Sequence, residues 1–294
     1  MHNTLKTQID RLKGVGAAYV DARWYPLERH QTLVMWNGNL KSNTFSRESG
    51  IGVRVLYDGA WGFAASSQRS HLNELFDRAL DNAKTAAERV AFPVRLADKE
   101  ITSASFRSPC RINPFDVSIR DKLSLLRNLD ASLNQTGVDQ RISSLNFMDK
   151  RIIFVDSDGS EVDKTITETF CHLEVVGRDS AGQSHQRKFR LGNHGTGTRG
   201  WESIREAALI REGERIVAEM NQVLVAGECP KENRSVILLP GIMFLQTHET
   251  IGHALELDRI LGYELAYAGG SFVRLADFGT LQYGSEKLTC RADA

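Results

Sequence analysis

The chain has 294 residues, 41% of them hydrophobic and 25% charged, which is the composition of an ordinary globular protein with room for two or three domains. Basic and acidic residues both number 37, so the formal net charge of +0 argues against a nucleic-acid partner. The start lacks the apolar core of a signal peptide, and the longest apolar stretch, residues 236–245, is too short to span a bilayer. A cytoplasmic protein with no membrane partner is therefore expected.

The four cysteines are widely spread and form no Cys-x-x-Cys pair. Such spacing predicts neither a disulfide framework nor a zinc ribbon. These cysteines are Cys110, Cys171, Cys229 and Cys290.

The first part of the chain reads as a helix followed by hairpins. Residues 5–13 predict a short helix that ends at Gly14, and Asn37-Gly38 and Asp58-Gly59 interrupt the alternating runs that follow. Residues 71–90 repeat apolar positions at helical spacing, which predicts a long amphipathic helix on an antiparallel sheet. Residues 1–96 are therefore predicted to form an N-terminal α+β domain, and the polar stretch to about Pro109 a connector.

A second α+β domain is predicted over residues 110–228. Ser118 is a plausible N-cap for a helix with a leucine stripe, and a charged helix is expected from Trp201 to about Val223. Strand-like runs lie between the two helices. They cover residues 142–147, 151–155, 161–166, 168–177 and 185–191.

Two loops in this domain resemble ligand motifs. Residues 156–160 contain two aspartates but lack the twelve-residue calcium pattern, so a plain hairpin turn is predicted. Residues 195–200 have Gly-x-Gly-x-x-Gly spacing, yet the preceding run is polar and alternating, unlike the buried parallel strand of a dinucleotide fold. We expect these glycines to permit close backbone approach to a neighbouring strand or a peptide substrate.

A third domain is predicted over residues 232–294. The run Ser235 to Leu239 reads as a strand, and Pro240 is favourable at the start of a helix near Gly241. Further strands are expected at 272–275 and 280–283. The overall expectation is an α+β fold, with antiparallel sheets and packed helices in two N-terminal units, followed by the beginning of a β-rich metal-binding domain.

The helix of this third domain contains His248-Glu249-Thr250-Ile251-Gly252-His253. Two imidazoles beside a carboxylate are typical of a metal centre, but five positions separate them by about 140° on a regular helix. Gly252 offers a solution, because a π-bulge or a local break would bring His253 back towards His248. The sequence therefore predicts a deformed helix.

The run from His248 to Asp258 resembles the signature of the TldD/PmbA family, His-Glu-Ala-x-Gly-His-x-Leu-Glu-x-Asp. It departs at Thr250, where Ala is usual, and at Leu257, where glycine is common. The resemblance covers essentially the whole chain, with high specificity only in the motif. Matching positions are His248, Glu249, Gly252, His253, Leu255, Glu256 and Asp258.

The resemblance implies a zinc-dependent peptidase that hydrolyses unfolded or extended polypeptides. His248 and His253 would hold Zn2+, and Glu249 would act as the general base on the metal-bound water. Glu256 and Asp258 are candidates to orient an imidazole N–H. In the family the third protein ligand is a late cysteine of a longer chain, which Cys290 does not match, so a truncated chain with an incomplete site is expected.

Family members assemble as dimers, which implies a homodimer or a heterodimer with a PmbA-like paralogue that lacks the motif. The histidines place this chain on the metal-bearing TldD-like side. The alternative is a non-catalytic, truncated subunit that binds a peptide or a partner. A gyrase-related role, suggested by the family's historical name, has no support in the neutral composition.

Overall fold

A seven-stranded sheet organises Met1–Glu228, the first of two compact units, and Cys229–Ala294 forms the second. The computed structural model describes residues 2–68, 70–191 and 197–291. The strands are β1 Tyr19–Trp36, β2 Asn39–Tyr57, β3 Ala60–Ser66, β4 Ser103–Arg107, β5 Gln140–Asp156, β6 Glu161–Arg178 and β7 Ser184–Leu191. The helices of this unit are α1 His2–Gly14, α2 Leu72–Ala87, α3 Ile119–Leu133 and α4 Glu206–Leu224.

The strand order is β3-β2-β1-β5-β6-β4, with β7 also paired to β6. All pairs are antiparallel except β4 with β6. The predicted α+β fold class is confirmed. In the described part of the chain, no helix has both the length and the apolar character needed to cross a membrane.

Both predicted hairpin turns are confirmed. Asn37 and Gly38 have φ values of 48° and 80°, and Asp58 and Gly59 have φ values of 45° and 76°. Two consecutive left-handed residues define the type I′ turn, whose twist matches that of the flanking strands. Asn and Asp tolerate this conformation better than other non-glycine residues, which explains their use here.

The expectation of separate sheets in two N-terminal units is wrong, because β1 pairs with β2 on one side and with β5 on the other. The division of β5 and β6 into shorter strands is also wrong. Asp149 and Thr167 lie on the buried side of these strands, and the Thr167 Oγ1 donates to Asp149 Oδ1 over 3.3 Å. Such buried polar residues interrupt the apolar pattern without interrupting the strand. The three-domain division itself stays a prediction.

Two hydrophobic cores lie between the helices and this sheet. The first contains residues of α1 and α2, including the fully buried Phe76, and the second contains residues of α3 and α4. Ser118 caps α3 as predicted, since its Oγ accepts from the Asp121 N–H at 3.1 Å. Helix α4 begins at Glu206, later than the predicted Trp201, because Trp201–Ser203 form a separate 3-10 turn.

The two motif-like loops have structural roles. In the confirmed turn between β5 and β6, Asp156 Oδ1 accepts from Asp158 N at 3.0 Å and Ser160 N at 2.9 Å. Residues 195 and 196 lie outside the described residues. The Gly197 carbonyl accepts from Thr169 N at 2.7 Å, and a Cβ on Gly200 would lie 2.4 Å from the carbonyl oxygen of Ile112. The predicted close approach to neighbouring backbone is therefore confirmed for Gly200.

Lys122 of α3 makes the stability of the protein depend on pH. Its side chain is buried and donates to Gln31 Oε1 at 2.6 Å, and burial lowers the pKa of Lys122 to about 8. An unfolded lysine titrates near pH 10.4, so the unfolded state binds more protons between these values and this contribution to stability rises with pH. At pH 7 we expect Lys122→Met to be more stable than the parent, with a higher free energy of unfolding.

The difference in free energy of unfolding between Lys122→Met and the parent is expected to shrink by up to about 1.4 kcal/mol per pH unit above pH 8. Denaturant titrations of both proteins at several pH values measure it. An advantage that stays constant from neutral to alkaline pH would contradict the lowered pKa.

The regular secondary structure in the described residues of the second unit is helical, and the remaining residues form turns and irregular segments. It contains α5 Pro240–Thr247, a π-helix His248–Gly252, a 3-10 turn His253–Leu255, α6 Leu257–Ile260 and a 3-10 turn Leu275–Asp277. No strand occurs in 229–291, so the strands predicted at 235–239, 272–275 and 280–283 and the β-rich character are wrong for this part. A strand needs a backbone partner, and no other described segment of this unit supplies one.

Candidate metal centre

The motif lies where α5 changes its winding. Pro240 occupies the first turn of α5, as predicted, and the chain passes into the π-helix His248–Gly252 without leaving helical backbone angles. The N–H of His253 donates to the carbonyl of His248, which is the i to i+5 bond of a π-helix. The predicted deformation is thus confirmed, and the two residues it joins are the two histidines.

The π-turn brings the three motif side chains together. The imidazole centroids are 4.2 Å apart, with their planes inclined by 70°. Glu249 Oε1 lies 4.0 Å from His248 Nε2, and Glu249 Oε2 lies 3.8 Å from His253 Nε2. One ligand atom from each residue falls within a group whose members are all within 4.8 Å of one another. Five-residue spacing therefore does not prevent the imidazoles from facing one point.

The donor set fits a divalent transition metal. Imidazole nitrogen and carboxylate oxygen are ordinary zinc ligands, with bonds of about 2.0–2.2 Å, which separate the ligand atoms of a tetrahedral site by about 3.4 Å. The observed distances from the Glu249 carboxylate oxygens to the two imidazole Nε2 atoms, 3.8 and 4.0 Å, are slightly longer. Small side-chain rotations close this difference, because His248 and Glu249 are 53% and 58% exposed.

Glu256 anchors the second imidazole, as predicted. Its Oε1 is 2.7 Å from His253 Nδ1, and this hydrogen bond lowers the pKa of Glu256. Asp258 does not share the role, since its Oδ1 accepts from the Arg259 backbone N–H at 2.9 Å. Cys290 is exposed and does not belong to the cluster formed by the described residues.

A cavity of about 520 Å³ opens beside Glu249 and His253. Its far wall carries Phe272 and Tyr283, whose rings stack at 5.6 Å. The remaining lining residues are Thr250, Ala254, Arg259, Gly270 and Ser271. Sequence patterns did not predict the aromatic wall, because local patterns do not reveal contacts over about thirty positions.

Two hydroxyl groups of the cavity wall hold the motif backbone. Tyr283 donates its hydroxyl hydrogen to the carbonyl of Thr250, and Ser271 Oγ donates to the carbonyl of Ala254 at 2.6 Å. Both carbonyls belong to the π and 3-10 turns, where regular i to i+4 bonding is interrupted and side chains often supply partners. The wall therefore supports the irregular winding on which the centre depends.

Gly252 is less constrained than the sequence suggested. Its φ and ψ of −54° and −66° are helical, and a Cβ there would meet His248 Nδ1 only at 3.9 Å. We expect Gly252→Ala to preserve the π-turn and the affinity of the chain for metal. Gly252→Val, whose branches reach the His248 ring, should weaken metal binding several-fold. Metal titration of both variants checks this, and an equal loss in the two would show that the glycine backbone itself is required.

Comparisons with known families match two segments of the chain. Residues 28–83 match the family described as PmbA/TldA metallopeptidase domain 1, and residues 112–225 match its central domain. Together these segments cover more than half of the chain. The motif itself lies outside both of them.

Similar proteins of known name extend the match. A metalloprotease of Methanocaldococcus jannaschii is 27% identical over 95% of this chain and 62% of its own length. One from Methanothermobacter thermautotrophicus is 26% identical over 88% of this chain and 58% of its own length. This chain thus spans about three fifths of the length of these relatives.

Solved structures share the fold. A protein of Thermotoga maritima described as a modulator of DNA gyrase has a TM-score of 0.58 and 17% identity, over 78% of this chain and 50% of that one. TldE of Thermococcus kodakarensis has a TM-score of 0.51 and 12% identity, over 72% and 47%. At such identities the likeness establishes the fold alone.

Proposed function

The chain belongs to the TldD/PmbA family, and from this premise we propose that it is a metal-dependent peptidase whose centre is formed by His248, Glu249 and His253. The observation that carries the proposal is the convergence of these side chains within 4.8 Å on a π-turn. The metalloprotease names of the similar proteins support the same chemistry. Zinc is the proposed ion, because imidazole nitrogens are among its ordinary ligands.

His248 and His253 would hold the ion through imidazole nitrogens. A bound divalent ion supplies Lewis-acid chemistry, which polarises a carbonyl and lowers the pKa of water. Glu249 accepts a proton on a carboxylate oxygen as the water oxygen attacks the peptide carbonyl, and it returns that proton to the leaving amine nitrogen. Glu256 holds His253 through its Nδ1, so that Nε2 is directed towards the other two groups.

The proposed substrates are unfolded or extended polypeptides, and the cavity beside Glu249 provides room for a residue next to the scissile bond. The proposed assembly is a homodimer or a heterodimer with a PmbA-like paralogue. The gyrase name of the Thermotoga maritima structure gains no support from the composition of this chain, because a net charge of +0 provides no overall electrostatic attraction for DNA.

Metal analysis of the purified chain tests the proposal. We expect the chain to take up about one Zn2+ when the ion is supplied, weakly because only two imidazole ligands are present, and we expect His253→Ala and His248→Ala to abolish this uptake. His71→Ala is the matched control, because His71 lies in the other unit and its imidazole pairs with Glu74 at 3.2 Å. A parent chain that takes up no Zn2+ would exclude the proposed centre and favour a non-catalytic subunit.

A further inference from the structure

Arg259 lies at the end of a chain of contacts that begins on a candidate metal ligand. Its Nε is 3.1 Å from Glu256 Oε2, and Glu256 Oε1 is 2.7 Å from His253 Nδ1. We propose that Arg259 is a positioning residue, which holds His253 through Glu256 in the orientation required for metal binding. This inference rests on the proposed metal site.

The two nitrogens of His253 face different partners. Nδ1 faces the carboxylate of Glu256, while Nε2 lies 3.8 Å from Glu249 on the side of the cluster. An ionised carboxylate only accepts hydrogen bonds, so it keeps the imidazole proton on Nδ1 and leaves the lone pair of Nε2 free for an ion. The contact with Glu256 thus sets both the direction of the ring and its tautomer.

Glu256 needs support to do this. Its side chain is 42% exposed, and a carboxylate with one free oxygen rotates readily in solvent. The second oxygen contacts the guanidinium of Arg259, which is itself only 17% exposed. Both oxygens of Glu256 therefore have partners. The contact is a single ion pair through Nε, and this nitrogen makes no hydrogen bond. A lysine ammonium can therefore replace part of the interaction.

His248 lacks an equivalent anchor. It is 53% exposed, and within the described ranges Glu249, at 4.0 Å, is the one carboxylate within ion-pair distance of it. One ligand is therefore oriented before an ion arrives, and the other is free to adjust. Loss of the anchor should reduce metal affinity without removing a ligand.

The first test measures the affinity of the full chain for Zn2+ by competition with a chromophoric chelator. Arg259→Gln is expected to weaken binding about tenfold, as loss of an outer partner typically does, and to alter the absorption spectrum of the Co2+ form. Arg259→Lys should recover part of the loss. Arg234→Gln is the matched control, because Arg234 pairs with Glu232 in the same unit, is 67% exposed and has no link to a histidine.

A double-mutant cycle tests whether Arg259 acts through Glu256. If it does, Glu256→Gln and Arg259→Gln together should weaken binding little more than Glu256→Gln alone. Losses that multiply would overturn the proposed route, and an Arg259→Gln chain that binds Zn2+ as tightly as the parent would overturn the proposal. Arg259→Lys, which keeps the charge, replaces Arg259→Gln in the cycle if the latter fails to fold.

A metal-free measurement separates this inference from the proposed function. Nitrogen NMR of the metal-free chain, at an alkaline pH where its imidazoles are neutral, reports the tautomer of His253. The parent should carry the proton on Nδ1, and Arg259→Gln should show a mixture. A parent that binds no metal defeats the peptidase proposal, but a proton on Nε2, or an unchanged tautomer in Arg259→Gln, defeats the positioning role.

Discussion

Glu249→Gln is expected to reduce peptide hydrolysis by about a hundredfold to ten-thousandfold, which is the range supplied by a general base, while the chain keeps its metal. The amide of glutamine is nearly the same size as the carboxylate but cannot accept the proton of the attacking water. Glu249 is 58% exposed and lies 3.8 and 4.0 Å from the two imidazoles, so it has room to meet a substrate. Turnover of a quenched-fluorescent peptide library, together with metal analysis, measures both effects.

Glu286→Gln is the control for this substitution, because Glu286 is an exposed carboxylate of the same unit outside the metal cluster. It should leave turnover and metal content unchanged. A Glu249→Gln chain that loses its metal would make Glu249 a ligand and not a base. Turnover at the parental rate would remove it from the reaction.

The local features of this chain could be read from its sequence because short-range chemistry fixes them. Asn37-Gly38 tolerates the left-handed backbone of a type I′ turn, and Ser118 provides a hydroxyl at the start of a helix. The five-residue histidine spacing is also a short-range feature, since only a deformed helix lets both imidazoles meet. A π-bulge or a local break would meet that requirement, and the structure has a π-turn.

Pairing partners could not be read in the same way. Strand β4 has every residue exposed and joins β6 through its backbone, so no apolar pattern marks it. The opposite error occurred at residues 235–239, where an apolar run resembles a strand. There Val236 and Ile237 are 73% and 89% exposed, and the structure shows no backbone partner in the described residues of this unit.

In the candidate site, too, contacts between residues close in sequence were predicted and long-range contacts were not. His248, Glu249, His253 and Glu256 lie within one stretch of nine residues, so the motif predicted that they meet. Tyr283 reaches the Thr250 carbonyl from thirty-three positions away. Contacts of that range depend on how the whole unit folds, and a single sequence does not reveal them.

The largest effect on stability is expected from Gly62→Ala in β3. A Cβ at this position would lie 2.1 Å from the carbonyl oxygen of Ala79 and 2.3 Å from the backbone nitrogen of Ala83. Both atoms belong to the backbone of α2, so no side-chain rotation relieves the overlap and the helix must move away from the sheet. Such movement loosens the packing of buried Phe76 and its neighbours. We expect the free energy of unfolding to fall by about 3 kcal/mol or more.

Gly50→Ala separates this packing effect from the general consequence of replacing a strand glycine. Gly50 lies in β2, and its nearest neighbour for an added Cβ is the Ser66 carbonyl oxygen at 3.6 Å, an ordinary contact. The alanine there should be neutral or add up to about 1 kcal/mol, because it restricts the unfolded chain. Urea unfolding followed by circular dichroism compares the two variants. Equal stability of Gly62→Ala and the parent would mean that α2 does not approach β3 as closely as the backbone distances require.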